Sequence, residues 1–187
     1  MRRVSLVLLF AALPALAAEV AGVKVEDRVR LESSELVLNG AGLRTKYFLS
    51  IYVAGLYLPE KKASAVDVLA LTGAKRISMR LMRGLSAKQL TDALELGIRA
   101  NTTTAEREAL KGRLGELTDI MNTIHSAKEG DLITLDWLPG AGTRITLNGE
   151  HRGGVIAGED FYRALLRIWL GDEPAQESLK KALLGGG

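Results

Sequence analysis

The sequence predicts an α+β fold, an antiparallel sheet with helices packed over one face. Three observations carry this. Segments of period two come in runs, before residue 82 and again after residue 130, instead of alternating one by one with helices. Between them, Ser86 to Lys128 carries period-3.6 stripes opened by two capping-box signatures. Beyond residue 158 the period returns to that of helices. A chain of 187 residues, 47% hydrophobic and 25% charged, is long enough for one real core and short for two.

The first residues read as a targeting segment. Met1-Arg2-Arg3 is basic, Val4 to Leu13 is apolar, and Ala15-Leu16-Ala17 has the small-x-small form of a signal-peptidase site. The apolar run is too short to span a bilayer. Cleavage is therefore expected after Ala17 or Ala18, giving a signal peptide over 1–17 and a domain over 18–187, with no integral membrane span left. Losing Arg2 and Arg3 takes the formal net charge from +3 to about +1. The remaining basic residues alternate with acids, so there is no footprint for nucleic acid. With no cysteine the core must hold without disulfides. A bacterial periplasm, or secretion, is the expected address.

Along the domain, Val23 to Leu31 alternates weakly and reads as an edge strand. Glu35 to Leu38 reads as a short strand leading into an Asn39-Gly40 turn. Tyr47 to Leu58 is apolar on both parities. Tyr47, Leu49, Ile51, Val53 and Tyr57 share one face; Phe48, Tyr52, Ala54, Leu56 and Leu58 share the other. Such a strand lies deep in a sheet with both faces covered. Lys61 to Thr72 reads as a short helix ended by Gly73. Arg76 to Met82 is a strand with Ile77, Met79 and Leu81 inward and one wet face.

Ser86 with Gln89 caps a helix whose stripe is Leu90, Leu94 and Ile98. Thr103 with Glu106 caps a second, and Leu110, Leu114, Leu117, Met121 and Ile124 extend it toward Lys128. Three strands follow: Leu132 to Leu138, Thr143 to Leu147 after a Pro139-Gly140 turn, and Glu150 to Ile156 after Asn148-Gly149. Asn-Gly between strand-like runs is a favoured hairpin signal. Gly158-Glu159-Asp160 opens a helix with acids on its first turn, which suits the helix dipole. Phe161, Leu165, Ile168 and Trp169 line its buried side, and Gly171 stops it. A last short helix runs from Pro174 through Leu184.

Much chemistry is excluded. His125 and His151, the only histidines, have no metal-ligand spacing to another ligand type. His125 reads as a helix C-terminal residue and His151 as a surface residue. There is no G-x-S-x-G elbow or phosphate loop, and Gly40-Ala41-Gly42 lacks the rest of a dinucleotide fingerprint. No cofactor and no metal is expected.

Arg44 is the residue of interest. A guanidinium just before a strand apolar on both sides is costly unless an anion satisfies it. Two readings stand side by side. Arg44 holds a carboxylate or developing oxyanion at the mouth of an apolar cleft, or it is a wet strand end paired with Glu35 or Asp160. On a regular backbone Tyr52 shares its parity, with Phe48 between them, so a phenol would stand just inside the guanidinium. Tyr47 and Tyr57 read as core packing. Arg80 and Arg83 flank the next strand and would add positive potential.

Three stretches together resemble the chalcone isomerase-like proteins, in particular a bacterial secreted branch. They are NGAGLRTKYFLSIYVAGLYL, RISMRLMRGLSAKQL, and GEDFYRALLRIWLGDEPAQESLKKALLG, and the resemblance runs from about Ala21 to Gly185. It implies an open-faced β-sandwich of chalcone isomerase type, a large antiparallel sheet covered by helices. Plant chalcone isomerases close a flavanone ring by intramolecular conjugate addition. They use a strand arginine, a threonine on the same strand, and a Tyr…Asn pair on the following helix. Arg44 matches the arginine, and the threonine position falls on Tyr52. Between Ser86 and Ile98 there is neither Tyr nor Asn; Asn101 lies beyond.

The resemblance therefore implies a member without isomerase activity. Other members bind fatty acids, with an arginine and a tyrosine on the carboxylate. The ligand-binding set expected here is Arg44, Tyr52, Phe48 and Tyr57, with Tyr57 the alternative to Tyr52, around a small apolar or amphipathic ligand. The competing expectations are an isomerase or lyase acting on an enone or phenol with Arg44 stabilising an oxyanion, and a ligand-free interaction module with Arg44 paired internally to an acid.

Overall fold

A computed structural model describes residues 18–186. The segment 1–17, expected from the sequence to be a signal peptide, lies outside the described residues. In chain order, β1 (Ala18–Val20) and β2 (Val23–Val25) form a hairpin, and β3 (Arg28–Leu31), β4 (Ser34–Lys46) and β5 (Leu49–Leu58) form a meander. Next come α1 (Ala65–Ala70), β6 (Lys75–Leu81), the short β7 (Leu85–Ser86), α2 (Ala87–Ala100), α3 (Thr104–Ile124) and the short β8 (Ser126–Ala127). The chain closes with β9 (Leu132–Leu138), β10 (Gly142–Leu147), β11 (Glu150–His151), α4 (Glu159–Leu170) and α5 (Glu177–Leu183).

Seven strands make one antiparallel sheet in the order β11-β10-β9-β6-β5-β4-β3. Its only long excursion lies between β6 and β9, which are neighbours in space. The α2–α3 pair is laid across one face during that excursion. Beneath it, Leu56 of β5, Ile77 and Met79 of β6 and Leu135 of β9 meet Leu94 and Ile98 of α2, Met121 of α3 and Leu165 of α4. On the opposite face, Leu36, Leu38, Val53 and Tyr57 pack with Val20, Val23 and Val25 of the β1–β2 hairpin. From Val53 to Leu58 both parities of β5 are thus buried, which is why that stretch shows no alternation.

The helix starts follow the capping chemistry. Ser86 Oγ accepts from the Gln89 N–H at 3.2 Å, and Gln89 Oε1 accepts from the Ser86 N–H at 2.9 Å. Thr103 and Glu106 repeat the exchange at 3.2 and 2.7 Å. The α3 stripe ends at Ile124, short of Lys128, because His125 has φ 55° and Ser126–Ala127 instead pairs with β7. The last helix starts at Glu177, later than Pro174. Of the strand expected over Glu150 to Ile156, only Glu150–His151 pairs continuously, with Ile156 making a single bridge to Thr143.

Two departures around β4 matter for the site. Asn39-Gly40 is not a turn; it lies inside a 13-residue strand, at a register shift between Leu38 and Gly40. The turn comes later, at Tyr47 and Phe48, whose φ values are 48° and 64°, so that Lys46 pairs with Leu49. Gly40 and Gly42 serve a close approach instead. A Cβ at Gly40 would overlap the carbonyl oxygen of Ala182, and one at Gly42 would lie 2.7 Å from the Ala182 Cβ. With no side chains there, α5 lies directly on β4. The buried Asn39 locks it, donating from Nδ2 to the Leu183 carbonyl at 2.7 Å while Oδ1 accepts from the Lys62 N–H at 2.7 Å.

Gly40→Ala should therefore push α5 off the strand, since its neighbour is backbone and cannot rotate away. Denaturant unfolding should show a loss of about 1–3 kcal/mol. Retained stability would mean that α5 is not seated on β4.

Candidate functional site

A cleft of about 740 Å³ opens between the helix-covered face of the sheet and helices α2 and α4. Met79, Ile133 and Leu135 form part of its apolar lining from the sheet, and Leu90, Leu94 and Ile168 from the helices. Its width follows from small residues on α2. Gly97 lets α4 close in, since a Cβ there would lie 2.6 Å from Ile168 Cγ2, while Ala93 and Ala100 leave room beside it.

Arg44 and Tyr52 both line this cleft. They are directly opposed partners across β4 and β5, not two residues of equal parity on one strand. The Tyr47–Phe48 turn folds the sequence back and brings them side by side, as cross-strand neighbours about 5 Å apart at Cβ.

The Arg44 guanidinium is held by neutral acceptors. Its Nη1 donates to the Thr45 carbonyl at 2.7 Å and to Gln176 Oε1 at 3.1 Å. Gln176 Oε1 also accepts from the Thr45 N–H at 2.9 Å, and its Nε2 donates to Ser178 Oγ at 2.6 Å. Gln176 immediately precedes α5, so the helix seated on Gly40 and Gly42 also delivers the amide that aims Arg44. No carboxylate among the described residues pairs with Arg44. Glu35 is taken by Arg28 at 2.5 Å and Asp160 by Arg113 at 2.6 Å. The paired-strand-end reading, in either form, does not hold.

Tyr52 accepts a hydrogen bond from Trp169 Nε1 at 2.9 Å. That leaves its own O–H free to donate. Burial raises its phenol above the ordinary value, against the lowering effects of the Trp169 N–H and the adjacent Arg44 charge. At neutral pH the pair is thus one fixed positive charge beside one neutral O–H donor. This geometry suits two oxygens of a single anionic head.

The other two expected site residues lie elsewhere. Phe48 points outward from the turn, fully exposed, because the left-handed backbone at Tyr47 and Phe48 ends the strand before it. Tyr57 is buried on the opposite face of the sheet, where burial first of all pushes its phenol up to about 12. It packs the second core and is no alternative to Tyr52. Arg80 donates to the Gly130 carbonyl at 2.8 Å, whereas Arg83 lines the cleft, as do Lys46 and the acids Asp92 and Glu173.

Asn101 is fully engaged. Its Nδ2 donates to the carbonyls of Gly97 and Glu173, and Oδ1 accepts from the Glu173 N–H at 3.0 Å. It pins the α4–α5 connection to the end of α2. No cluster of metal-ligating side chains occurs among the described residues. Sequence reasoning missed Gln176 and treated Trp169 only as core. A buried indole N–H must find an acceptor, and that rule was the available signal for Trp169.

The sequence matches the chalcone isomerase-like family over residues 17–185. Among solved structures, the chain is similar to a fatty-acid binding protein of Arabidopsis thaliana, with a TM-score of 0.69 at 18% identity. The match covers 87% of this chain and 92% of that one. The likeness shows that the fold is of chalcone isomerase type. No curated protein matches in sequence.

In an alkaline absorbance titration, the phenol component that disappears in Tyr52→Phe should lie above the ordinary tyrosine value of about 10. In Trp169→Phe it should move higher still, because the lowering N–H is gone. A Tyr52 component at or below the ordinary value would contradict the buried geometry.

Proposed function

The chain belongs to the chalcone isomerase-like family, and we propose that it is a periplasmic carrier or sequestering protein for a fatty acid or similar apolar carboxylate. The observation that carries this is the Arg44–Tyr52 pair on the wall of the apolar cleft: a guanidinium satisfied only by neutral acceptors, next to a phenol with its proton free. The carboxylate sits against these two donors and the alkyl chain runs inward along Met79, Ile133 and Leu135. The similar structure from Arabidopsis is described as a fatty-acid binding protein, in agreement with this reading.

The same residues argue against ring-closing isomerisation. Such a reaction needs preorganised polar groups on the developing charge. Helix α2 carries no tyrosine or asparagine, and Asn101 spends both ends of its amide on backbone. What remains is an anion anchor in a greasy cleft, which binds well and orients a reacting enone poorly. The basic, apolar and small-residue layout of residues 1–17 supports export.

Delipidated protein should bind oleate in preference to methyl oleate in a fluorescent fatty-acid displacement assay. Arg44→Ala removes a charge-assisted contact of about 1.5–3 kcal/mol, so oleate affinity should fall roughly ten- to a hundred-fold and the preference for the free acid should vanish. Unchanged affinity, or turnover of a chalcone lost in Arg44→Ala, would favour other readings. Protein recovered from a periplasmic extract should begin at Ala18 or Glu19 by N-terminal sequencing. An intact Met1 would contradict export by cleavage.

A further inference from the structure

The large exposed apolar side chains are not scattered. Among the described residues, Tyr47 (84% exposed), Phe48 (105%), Leu49 (51%) and Leu96 (65%) are four of the six such residues. Tyr47, Leu49 and Leu96 line the cleft, so the apolar cluster forms its lips; Phe48 stands at the tip between Tyr47 and Leu49. Exposed apolar surface gathered at one site marks an interaction surface, whereas isolated exposed residues need no explanation.

The backbone under this tip is costly. A two-residue hairpin turn with positive φ at both positions is built most cheaply from Asn-Gly. Here the two positions hold Tyr47 and Phe48 at φ 48° and 64°, where bulky residues are strained. Neither ring is buried in exchange. Strain retained where it gains nothing for the fold points to a role for the side chains. The strained turn leaves both rings exposed, Tyr47 beside the cleft and Phe48 fully in solvent.

The charges beside the tip define the partner. Lys46 stands at the turn, its Nζ 5.7 Å from the Tyr47 ring centroid, and exposed Arg83 lies just past the end of β6 and also lines the cleft. Of the two acids lining the cleft, Asp92 is paired with Lys88 at 2.7 Å, and Glu173 is the other. Aromatic and aliphatic tips flanked by cations match a layer with an apolar interior and an anionic surface.

We propose that the Tyr47–Phe48 hairpin tip, with Leu49, Leu96, Lys46 and Arg83, docks the cleft mouth onto an anionic lipid bilayer. An apolar acid then passes between bilayer and cleft without crossing water. That purpose rests on the fatty-acid reading above, but the docking itself does not.

The test uses the delipidated mature chain with vesicles of phosphatidylethanolamine and phosphatidylglycerol, and with phosphatidylcholine vesicles, in a flotation assay. The wild type should float with the anionic vesicles, less with the neutral ones, and less at high salt. Phe48→Gly suits the positive φ, so it should fold with an equal or higher thermal midpoint, bind oleate in solution as the wild type does, and lose at least roughly tenfold in vesicle binding. Wild type that floats with neither vesicle, or Phe48→Gly that floats as well as wild type, overturns the proposal. Vesicle binding that is lost in Phe48→Gly sustains docking even where neither protein binds oleate, and then only the ligand reading fails.

Discussion

The site depends on how closely α5 lies against β4. Two glycines on one face of a strand remove the side chains that would hold a helix off, and Asn39 fixes the helix end by its Leu183 carbonyl. At the other end of α5, Gln176 meets Arg44 and the Thr45 N–H. The same contact that completes the core therefore sets the direction of the guanidinium. Arg44 is held by neutral groups only, so its charge is aimed but not cancelled. A carboxylate partner would have fixed it as well, but would have used up its capacity to bind an anion.

The rest of the cleft follows from what the helices lack. Gly97 admits α4 close to α2, and Ala93 and Ala100 keep the α2 wall shallow. Large residues there would have extended the core into the space. Trp169 links this wall to the polar corner. Its indole N–H needs an acceptor in a buried place, takes the Tyr52 oxygen, and so leaves the phenol proton as the donor. The corner thus presents a charge and an O–H beside the apolar lining of the cleft formed by Met79, Ile133, Leu135, Leu90, Leu94 and Ile168.

Much of the fold was legible because its signals are local. The capping boxes at Ser86 and Thr103, the leucine stripes of α2 and α3, the Asn148-Gly149 hairpin and the two-sided apolar strand all lie where periodicity and cap chemistry put them. The exceptions have physical reasons. Asn39-Gly40 has a turn's composition, but its glycines answer to a helix some 140 residues away in sequence, which no local pattern displays. The real turn at Tyr47–Phe48 uses residues that turns avoid. That error carried the strand two residues too far, placed Phe48 inside and put Arg44 and Tyr52 together by the wrong route. Tyr57 was separable from Tyr52 only by its parity, odd against even, and the odd face belongs to the second core. Gln176 is an ordinary exposed-looking glutamine until α5 is seated.

The most direct test of the central claim is a crystal structure of the protein with a bound long-chain fatty acid. The carboxylate should lie within hydrogen-bond reach of both the Arg44 guanidinium and the Tyr52 hydroxyl, with the alkyl chain in the cleft over Met79 and Leu135. A carboxylate held at the rim by Lys46 or Arg83, or an empty cleft at saturating ligand, would contradict it.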